Sequence, residues 1–462
     1  MQLNPASFRD PHARVYDYEG RVLREVSNNK KEFFLEFLDS DFYRQLRGKS
    51  IVETDFVNFR KIEKNKTSTD TFFLEHEKIE FITYPHEWCF ETLKEVAIFH
   101  LNLQKKALDS GFFLKDASPY NVQFKNGKPI FIDLLSFESY HEGDYWVAYK
   151  QFCDNFLNPL VIRSHTGIEH NMFFRGSIDG VDARLTSAIL PLKSWFSFKI
   201  ISHIHIRAWL EKKVDSSSPS QSISSRPGIS KKNIQALWES LEIFIKKLSA
   251  RDLTYWSEYE NNNSYVKTAV QIKDNLVRNF INKYKPNTLL DLGCNRGRFC
   301  RIAFESGASK VIGLDIDGSA VDKANLDYFL RSRDFIALQF DLMNPSPAIG
   351  WQNIERSIIW DRMPRIDTLI CLALVHHICI SKNVPLGDFV KFLFNLSKTI
   401  LVEFVPKTDS MVQGLLSNRS DIFDDYNEEN FERELSKHGH IIEKRNIKDS
   451  SRTLYECVSS NF

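Results

Sequence analysis

Paired cysteines are absent from this sequence of 462 residues. Its seven cysteines form no C-x-x-C pair, the spacing that a zinc site or a redox motif would show. Isolated cysteines commonly pack as small apolar groups. The pattern therefore predicts a reducing compartment and no disulfide framework, so we expect a cytoplasmic protein and assign no metal site with certainty.

Membrane-directed segments and an excess of charge are absent as well. No run of about 18 apolar residues occurs, so no transmembrane segment is predicted. The N-terminal stretch MQLNPASFRDPHARVYDYEG lacks the apolar region of a signal peptide. The 61 Lys and Arg residues nearly balance the 60 Asp and Glu residues. Without a basic excess, we expect no nucleic-acid partner.

The most informative stretch that is present is TLLDLGCNRGRFCRIAFESGASKVIGLDID, residues 288–317. It predicts a buried strand, a glycine turn, a helix and a second buried strand that ends at Asp315. Gly293 and Gly297 permit a tight turn and the close approach of a ligand. Helix N–H groups would face that ligand, and Asp315 could accept hydrogen bonds from ribose hydroxyls. This order is typical of nucleoside-binding α/β folds.

The turn departs from the dinucleotide fingerprint G-x-G-x-x-G. Its order is D-x-G-x-x-x-G, and Asp291 ahead of the first glycine suits a cationic ligand better than a diphosphate. The stretch resembles motif I of the class I S-adenosylmethionine (SAM) methyltransferases. The resemblance implies that the glycine loop wraps the methionine part of SAM and that Asp315 holds the ribose. The alternative is an ordinary βαβ unit with a chance Gly-x-x-x-Gly turn.

The remaining C-terminal pattern alternates between helices and strands, as a doubly wound sheet requires. A third strand is predicted to lead to Asp341, and an acid there commonly meets the adenine amino group in SAM enzymes. His376 and His377 follow a fourth strand at the edge where ligands bind. They are candidate catalytic residues, as a base or as donors to an acceptor, or else they cap the next helix. The residues expected to bind SAM are Asp291, Gly293, Asn295, Gly297, Asp315, Ile316, Asp341 and Leu342.

The N-terminal half carries a second pattern. A predicted helix over 87–110 is followed by FFLKDASPYNVQFKNGKPIFIDLLSFE, where Asp116 and Asn121 are five residues apart and a predicted hairpin leads to Asp133. The stretch resembles the catalytic loop and metal-binding acid of protein kinases and aminoglycoside-type phosphotransferases. The resemblance implies that Asp116 orients an acceptor hydroxyl and that Asn121 and Asp133 hold Mg²⁺, with Mg-ATP as a second cofactor.

The phosphotransferase pattern is incomplete. Leu114-Lys115 stands where those families have His-Arg or His-Gly, and Leu134-Leu135 replaces the Phe-Gly after the metal acid. No Gly-rich nucleotide loop is found, and no strand-borne lysine is identified. The alternative is that the two acids and the amide only cap a loop and end a strand.

A Ser-rich stretch, DSSSPSQSISSRPGIS, separates the halves and predicts a flexible linker. The expected domains are an α+β domain resembling a kinase over 1–210, a linker over 211–231 and a methyltransferase domain over 232–462. The predicted fold class is therefore α/β. A Rossmann-like sheet of seven strands forms its C-terminal part, and an α+β domain precedes that sheet.

Nine segments from both halves together resemble one full-length family, the SAM-dependent methyltransferases related to the nodulation protein NoeA. The resemblance implies O-methylation of a glycan, glycolipid or other small-molecule acceptor of a cell-surface or nodulation-factor-like kind. Two alternatives stay open: a bifunctional kinase–methyltransferase, and a methyltransferase with a non-catalytic kinase-like domain. The segments are KDASPYNVQF, IDLLSFE, AYKQFCDNFLNPL, DLGCNRGRF, NPSPAIGW, LALVHHI, SKNVPLGDF, VEFVPKTDS and RSDIFDDY.

Overall fold

The computed structural model of the chain describes residues 1–57, 71–215, 228–251, 267–417 and 419–460. The chain divides into two units. The first comprises Met1–Leu253 and Ser346–Arg362, and the second comprises Thr254–Pro345 and Met363–Phe462. Within the described ranges, no helix is long and apolar enough to cross a membrane.

The first unit contains an antiparallel sheet of five strands in the order β1-β2-β3-β5-β4 and two short hairpin-like pairs, β6 with β9 and β7 with β8. The β2–β3 turn has positive φ at Glu19 and Gly20, the backbone that two-residue hairpins favour. The strands are β1 (Gln2–Leu3), β2 (Ala13–Tyr18), β3 (Arg21–Ser27), β4 (Thr54–Val57), β5 (Thr71–His76), β6 (Phe112–Leu114), β7 (Val122–Lys125), β8 (Lys128–Phe131) and β9 (Phe137–Ser139).

Ten helices accompany these strands within the described residues before 252. Phe37 lies at the centre of their aromatic core, with its ring centroid 5.1 Å from that of Phe112 and 4.7 Å from that of Phe137. The helices are α1 (Lys31–Asp39), α2 (Asp41–Leu46), α3 (Phe90–Asp109), α4 (Tyr149–Phe152), α5 (Asn158–Thr166), α6 (Asn171–Gly176), α7 (Ala183–Ile189), α8 (Phe198–Ile200), α9 (Ile206–Asp215) and α10 (Lys231–Lys247).

Helix α10 changes the predicted domain boundary. The prediction placed it with the methyltransferase domain of 232–462, but the structure places it in the first unit. The reason is its aromatic contact: the buried Trp238 ring lies 5.9 Å from Phe113 and 5.7 Å from Trp146. The predicted linker of 211–231 also narrows, because α9 continues to Asp215. Residues 216–227 lie outside the described residues.

The second unit contains a sheet of seven strands in the order β12-β11-β10-β13-β14-β16-β15. The five strands from β12 to β14 are parallel, and β16 and β15 are antiparallel to their neighbours. This order confirms the predicted Rossmann-like methyltransferase sheet and the α/β fold class. The strands are β10 (Thr288–Leu292), β11 (Lys310–Asp315), β12 (Asp334–Gln339), β13 (Ile366–Cys371), β14 (Ser397–Phe404), β15 (Gly439–Asn446) and β16 (Thr453–Ser459).

Helices cover this sheet, which explains why strands such as Thr288–Leu292 are buried along their whole length. Because the strands are parallel, their carboxyl ends meet at one edge, where α/β folds bind ligands. The remaining helices are α11 (Lys267–Tyr284), α12 (Arg298–Glu305), α13 (Gly318–Leu326), α14 (Tyr328–Arg331), α15 (Ile359–Arg362), α16 (Leu386–Leu396), α17 (Ser410–Leu416) and α18 (Glu428–His438).

The connection from β12 to β13 contributes a segment to the first unit, and we call this segment, Ser346–Arg362, the strap. The Arg362 side chain forms an ion pair with Glu87, which is fully buried, and donates to the carbonyl of Ile82. Its guanidinium also lies 3.9 Å from the ring centroid of Tyr84. Arg356 stacks in the same way on Tyr120, at 4.6 Å. The first unit is therefore built from two separate parts of the chain.

Candidate functional site

A cavity of about 420 Å³ lies at the carboxyl ends of the parallel strands of the second unit. Its walls include Leu292, Leu314 and Leu372, which end or follow β10, β11 and β13. The volume falls within the range of roughly 300–1,000 Å³ that is usual for small-molecule sites. The cavity therefore occupies the place where the sequence predicts a ligand.

Most of the predicted site residues of this unit line the cavity. Three do not: Asp291, Gly297 and His376. The predicted residues that line it are Gly293, Asn295, Asp315, Ile316, Asp341, Leu342 and His377.

Asp315 is held in a fixed orientation by two backbone amides. The Asn295 N–H donates to Oδ2 at 2.8 Å, and the Asp317 N–H donates to Oδ1 at 2.9 Å. Burial raises the pKa of Asp315 to about 6, so it is ionised at pH 7 and accepts hydrogen bonds. A carboxylate fixed in this way is suited to hold the hydroxyls of a ribose.

The two glycines of the turn have different roles. Gly293 has φ of +82° and lines the cavity, where an added Cβ would lie 3.8 Å from Leu374. Gly297 has φ of +77°, and its added Cβ would lie 2.7 Å from Leu330 Cδ1 and 3.3 Å from Ala324 Cβ. Gly297 therefore permits helix packing and does not contact a ligand in the cavity, contrary to the expected role.

Asp291 likewise does not line the cavity. Its side chain is buried, and Cys300 Sγ donates to its Oδ2 at 3.2 Å. Burial raises the pKa of Asp291 to about 7. The sequence pattern predicted a direct SAM ligand here, but the structure places the acid in the core beside Cys300, because β10 is buried on both sides.

The two histidines after β13 are also placed differently. Their ring centroids are 4.1 Å apart, but only His377 lines the cavity. His376 is fully buried, and neither of its ring nitrogens has a hydrogen-bond partner among the described residues. His376 therefore cannot act as the predicted base. Burial lowers the pKa of His377 to about 4, so it is neutral at pH 7 and a weak base.

The turn before these histidines carries backbone strain. Ala373 lines the cavity with φ of +53°, a region that residues other than glycine seldom adopt. Such residues cost of order 1–3 kcal/mol and cluster at ligand sites. The strained turn determines which of the consecutive side chains faces the cavity.

Sequence reasoning missed two cations of the cavity wall, Lys273 of α11 and Arg452 before β16. Lys273 Nζ lies 2.5 Å from Glu403 Oε2, and Arg452 Nε lies 2.8 Å from Asp409 Oδ2. Arg452 also approaches Glu403 Oε1, with its Nη1 at 3.8 Å. We call these four residues the basic corner, because its two cations line the cavity whereas its two carboxylates do not.

In the first unit, the three predicted phosphotransfer residues converge as expected. Asn121 Nδ2 donates to Asp116 Oδ2 at 3.0 Å and lies 3.4 Å from Ser136 Oγ, which in turn donates to Asp133 Oδ2 at 2.7 Å. Ser136 was not predicted. The hydrogen-bonded chain joins both carboxylates through one amide and one hydroxyl.

A residue missed by sequence reasoning completes this cluster. Arg24, in the middle of β3, forms an ion pair with Asp133. Burial and the nearby Asp133 raise the pKa of Asp116. Burial alone would raise the pKa of Asp133, but Arg24 and Ser136 hold it below its usual range. A search for lysine overlooked the arginine that supplies the strand-borne cation.

Metal binding was tested on side-chain grouping alone. In the part of the chain that the structure describes, no group of three or more His, Cys, Asp or Glu residues is arranged to hold a metal ion. All seven cysteines are free and buried.

Sequence comparison connects both units to a known protein. The chain is 38% identical over 457 residues to nodulation protein NoeA of Rhizobium meliloti (strain 1021), covering 97% of this chain and 94% of that protein. This chain belongs to the NoeA family. No model of a protein family matches it.

Solved structures resemble parts of this NoeA-family chain weakly. N-methyltransferase NodS from Bradyrhizobium japonicum WM9 is 8% identical, covers 42% of this chain and 97% of its own, and has a TM-score of 0.32. Magnesium protoporphyrin IX methyltransferase from Synechocystis PCC 6803 with bound SAM is 17% identical, covers 51% of this chain and all of its own, and has a TM-score of 0.30. The strand order of the second unit establishes the fold without them.

Proposed function

We propose that this NoeA-family protein is a SAM-dependent methyltransferase that acts on an oxygen atom of a glycan or glycolipid. The observation that carries the proposal is the cavity at the ends of β10, β11 and β12, with Gly293 at its turn and Asp315 on its wall. Its volume and its fixed ribose-accepting carboxylate fit SAM. The glycan acceptor rests on the resemblance to NoeA.

The residues of the cavity would divide the binding of SAM among them. Asp315 would accept from the ribose hydroxyls, Asp341 would meet the adenine, and the backbone at Gly293 would follow the methionine part. Bound SAM supplies a methyl group on a sulfonium. The protein aligns the acceptor oxygen with that methyl and excludes water, which accounts for much of the acceleration of such displacements. His377 is the histidine placed to orient an acceptor.

Turnover tests the proposal directly. Full-length protein incubated with methyl-labelled SAM and a cell-envelope extract should transfer label to a glycan-containing product and form S-adenosylhomocysteine. The Asp315→Ala protein serves as the negative control. Label transferred to protein or nucleic acid instead would contradict the glycan assignment, and failure to bind SAM would contradict the proposed activity.

The Asp315→Ala change should weaken SAM binding roughly 10- to 150-fold. A charge-assisted hydrogen bond to a ribose hydroxyl contributes roughly 1.5–3 kcal/mol. Calorimetry with SAM measures the loss. Asp334→Ala is the matched control, because Asp334 begins β12, does not line the cavity and pairs with Lys310. Equal affinity in the Asp315 variant and the parent would remove this residue from the site.

SAM affinity should also depend on pH. Because burial raises the pKa of Asp315 to about 6 from the usual 3.8, this residue takes up a proton as the pH falls through about 6. The protonated form loses its charge, so affinity should fall from pH 7 to pH 5 by up to about tenfold per unit. Calorimetry across this range should give a smaller slope for Asp315→Asn. A flat profile in the parent would show that Asp315 does not contact the ligand.

We propose as a second candidate that the first unit transfers phosphate, which would make the protein a bifunctional kinase–methyltransferase. The observation that favours it is the convergence of Asp116, Asn121 and Asp133 with Arg24. Against it, Asn121 and Arg24 already occupy carboxylate oxygens that Mg²⁺ would need. We therefore expect weak or no binding of Mg-ATP, and a non-catalytic binding role for this unit. Mg-ATP turnover that is lost in Asp133→Ala would favour the bifunctional enzyme.

A further inference from the structure

The two sides of the cavity carry opposite charges. Asp315 and Asp341 follow β11 and β12, whereas Glu403, the anchor of the basic corner, lies on β14. Strands β11 and β14 are three positions apart in the sheet, a separation of about 14 Å at the usual strand spacing. The acidic side and the basic corner are therefore different parts of one cavity.

SAM in the proposed function accounts for the acidic side. Its adenosine would lie by β11 and β12 and its methionine part by Gly293 on the β10 turn. The side next to β13 and β14 is then left to the acceptor. His377, Ser381 and Lys382 line this side together with Lys273 and Arg452.

The basic corner presents cations to this side and keeps its carboxylates away from it. The side chains of Lys273 and Arg452 are 8% and 1% exposed and line the cavity, whereas Glu403 and Asp409 do not. The ion pairs hold both cations in place. Lys382 adds a third cation against two carboxylates, which leaves one uncompensated positive charge. A singly charged anion would balance it.

Two further observations concern the kind of acceptor. Ser381 Oγ is buried, lines the cavity and has no hydrogen-bond partner among the described residues, so it can donate to an anion. A hydroxyl acceptor would need a base to remove its proton, yet burial lowers the pKa of His377 to about 4 and makes it a poor one. A carboxylate is already ionised and needs no base.

We propose that the acceptor of this methyltransferase is a carboxylate, held by Lys273 and Arg452, and that the product is a methyl ester. The inference rests on the proposed function. A carboxylate oxygen forms a bond to the methyl carbon, the carbon–sulfur bond breaks, and its electron pair stays on the sulfur of S-adenosylhomocysteine. One positive and one negative charge are neutralised, and no proton is released. Transfer to a hydroxyl would release one proton.

The chemistry of the labelled product tests this assignment. Product from methyl-labelled SAM and cell-envelope extract should lose its label as methanol in mild alkali, because esters hydrolyse there. Label that resists mild alkali, as in an ether or a phosphate diester, would overturn the carboxylate acceptor while leaving methyl transfer intact. Failure of the protein to bind SAM would instead contradict the proposed function.

Variants of the basic corner identify what the corner holds. Lys273→Met should raise the KM for the acceptor at least tenfold, leave SAM affinity within about twofold, and be largely rescued by Lys273→Arg. SAM itself also carries a carboxylate, so S-adenosylhomocysteine and 5′-methylthioadenosine, which lacks that group, are compared by calorimetry. Weaker binding of S-adenosylhomocysteine alone in Lys273→Met would show that the corner holds the cofactor, and would overturn the proposal.

Discussion

The Gly293→Val variant should lose SAM binding by more than about 100-fold. Gly293 has φ of +82°, which a β-branched residue rarely adopts, so the turn must change shape. The added side chain would also project towards Leu374 in the cavity. Both effects act on the segment that would follow the methionine part of SAM. Calorimetry and thermal unfolding measure binding and folding in the same preparation.

Gly307→Val is the matched control for this variant. Gly307 has φ of +97°, but an added Cβ there meets nothing within 4 Å, and the residue does not line the cavity. The control should carry a similar backbone cost and still bind SAM. If Gly293→Val bound SAM as tightly as the parent, the glycine turn would not form the cofactor site.

The second large effect concerns the strap. Arg362→Leu should destabilise the first unit by about 3–5 kcal/mol, because it leaves the fully buried Glu87 carboxylate without its guanidinium. Burial raises the pKa of Glu87, but Arg362 and neighbouring donors hold it below its usual range. Removing the arginine should therefore make Glu87 bind a proton. Chemical denaturation at pH 7, followed by tryptophan fluorescence, measures the loss.

Two comparisons define this effect. Arg365→Leu changes an exposed arginine a few residues away and should alter stability by less than about 0.5 kcal/mol. A chain that ends at residue 253 lacks the strap and should aggregate or remain unfolded. A stable, cooperative fragment of that kind would show that the strap is not needed. A cut in the Ser-rich stretch would not free a self-sufficient N-terminal fragment.

The seven-stranded sheet was predictable because its signals are local. Apolar runs such as Thr288–Leu292 and Lys310–Asp315 are typical of strands buried on both faces, and the turn residues between them mark where each ends. Predicted and observed strand ends agree within about two residues. Asp315 and Asp341 could be placed at the cavity because they follow such strands directly.

The remaining features depend on contacts that are distant in sequence. Lys273 and Glu403 are 130 residues apart, so no local pattern joins them. His376 and His377 are adjacent, and only the strained turn at Ala373 decides which faces the cavity. Arg24 and Asp133 are likewise 109 residues apart. The α+β character of the first unit was predicted correctly, and its kinase-like character stays a prediction.

The strap also constrains the order in which the protein can fold during translation. Glu87 and Arg362 are 275 residues apart in the sequence. At roughly 5–20 residues per second, a ribosome needs about 15 to 55 s to synthesise the chain between them. Over that time the nascent N-terminal unit lacks the cation for its buried acid, while strands β10 to β12 of the other unit are already made. We expect the unit that is synthesised first to complete its folding only after half of the second sheet has emerged.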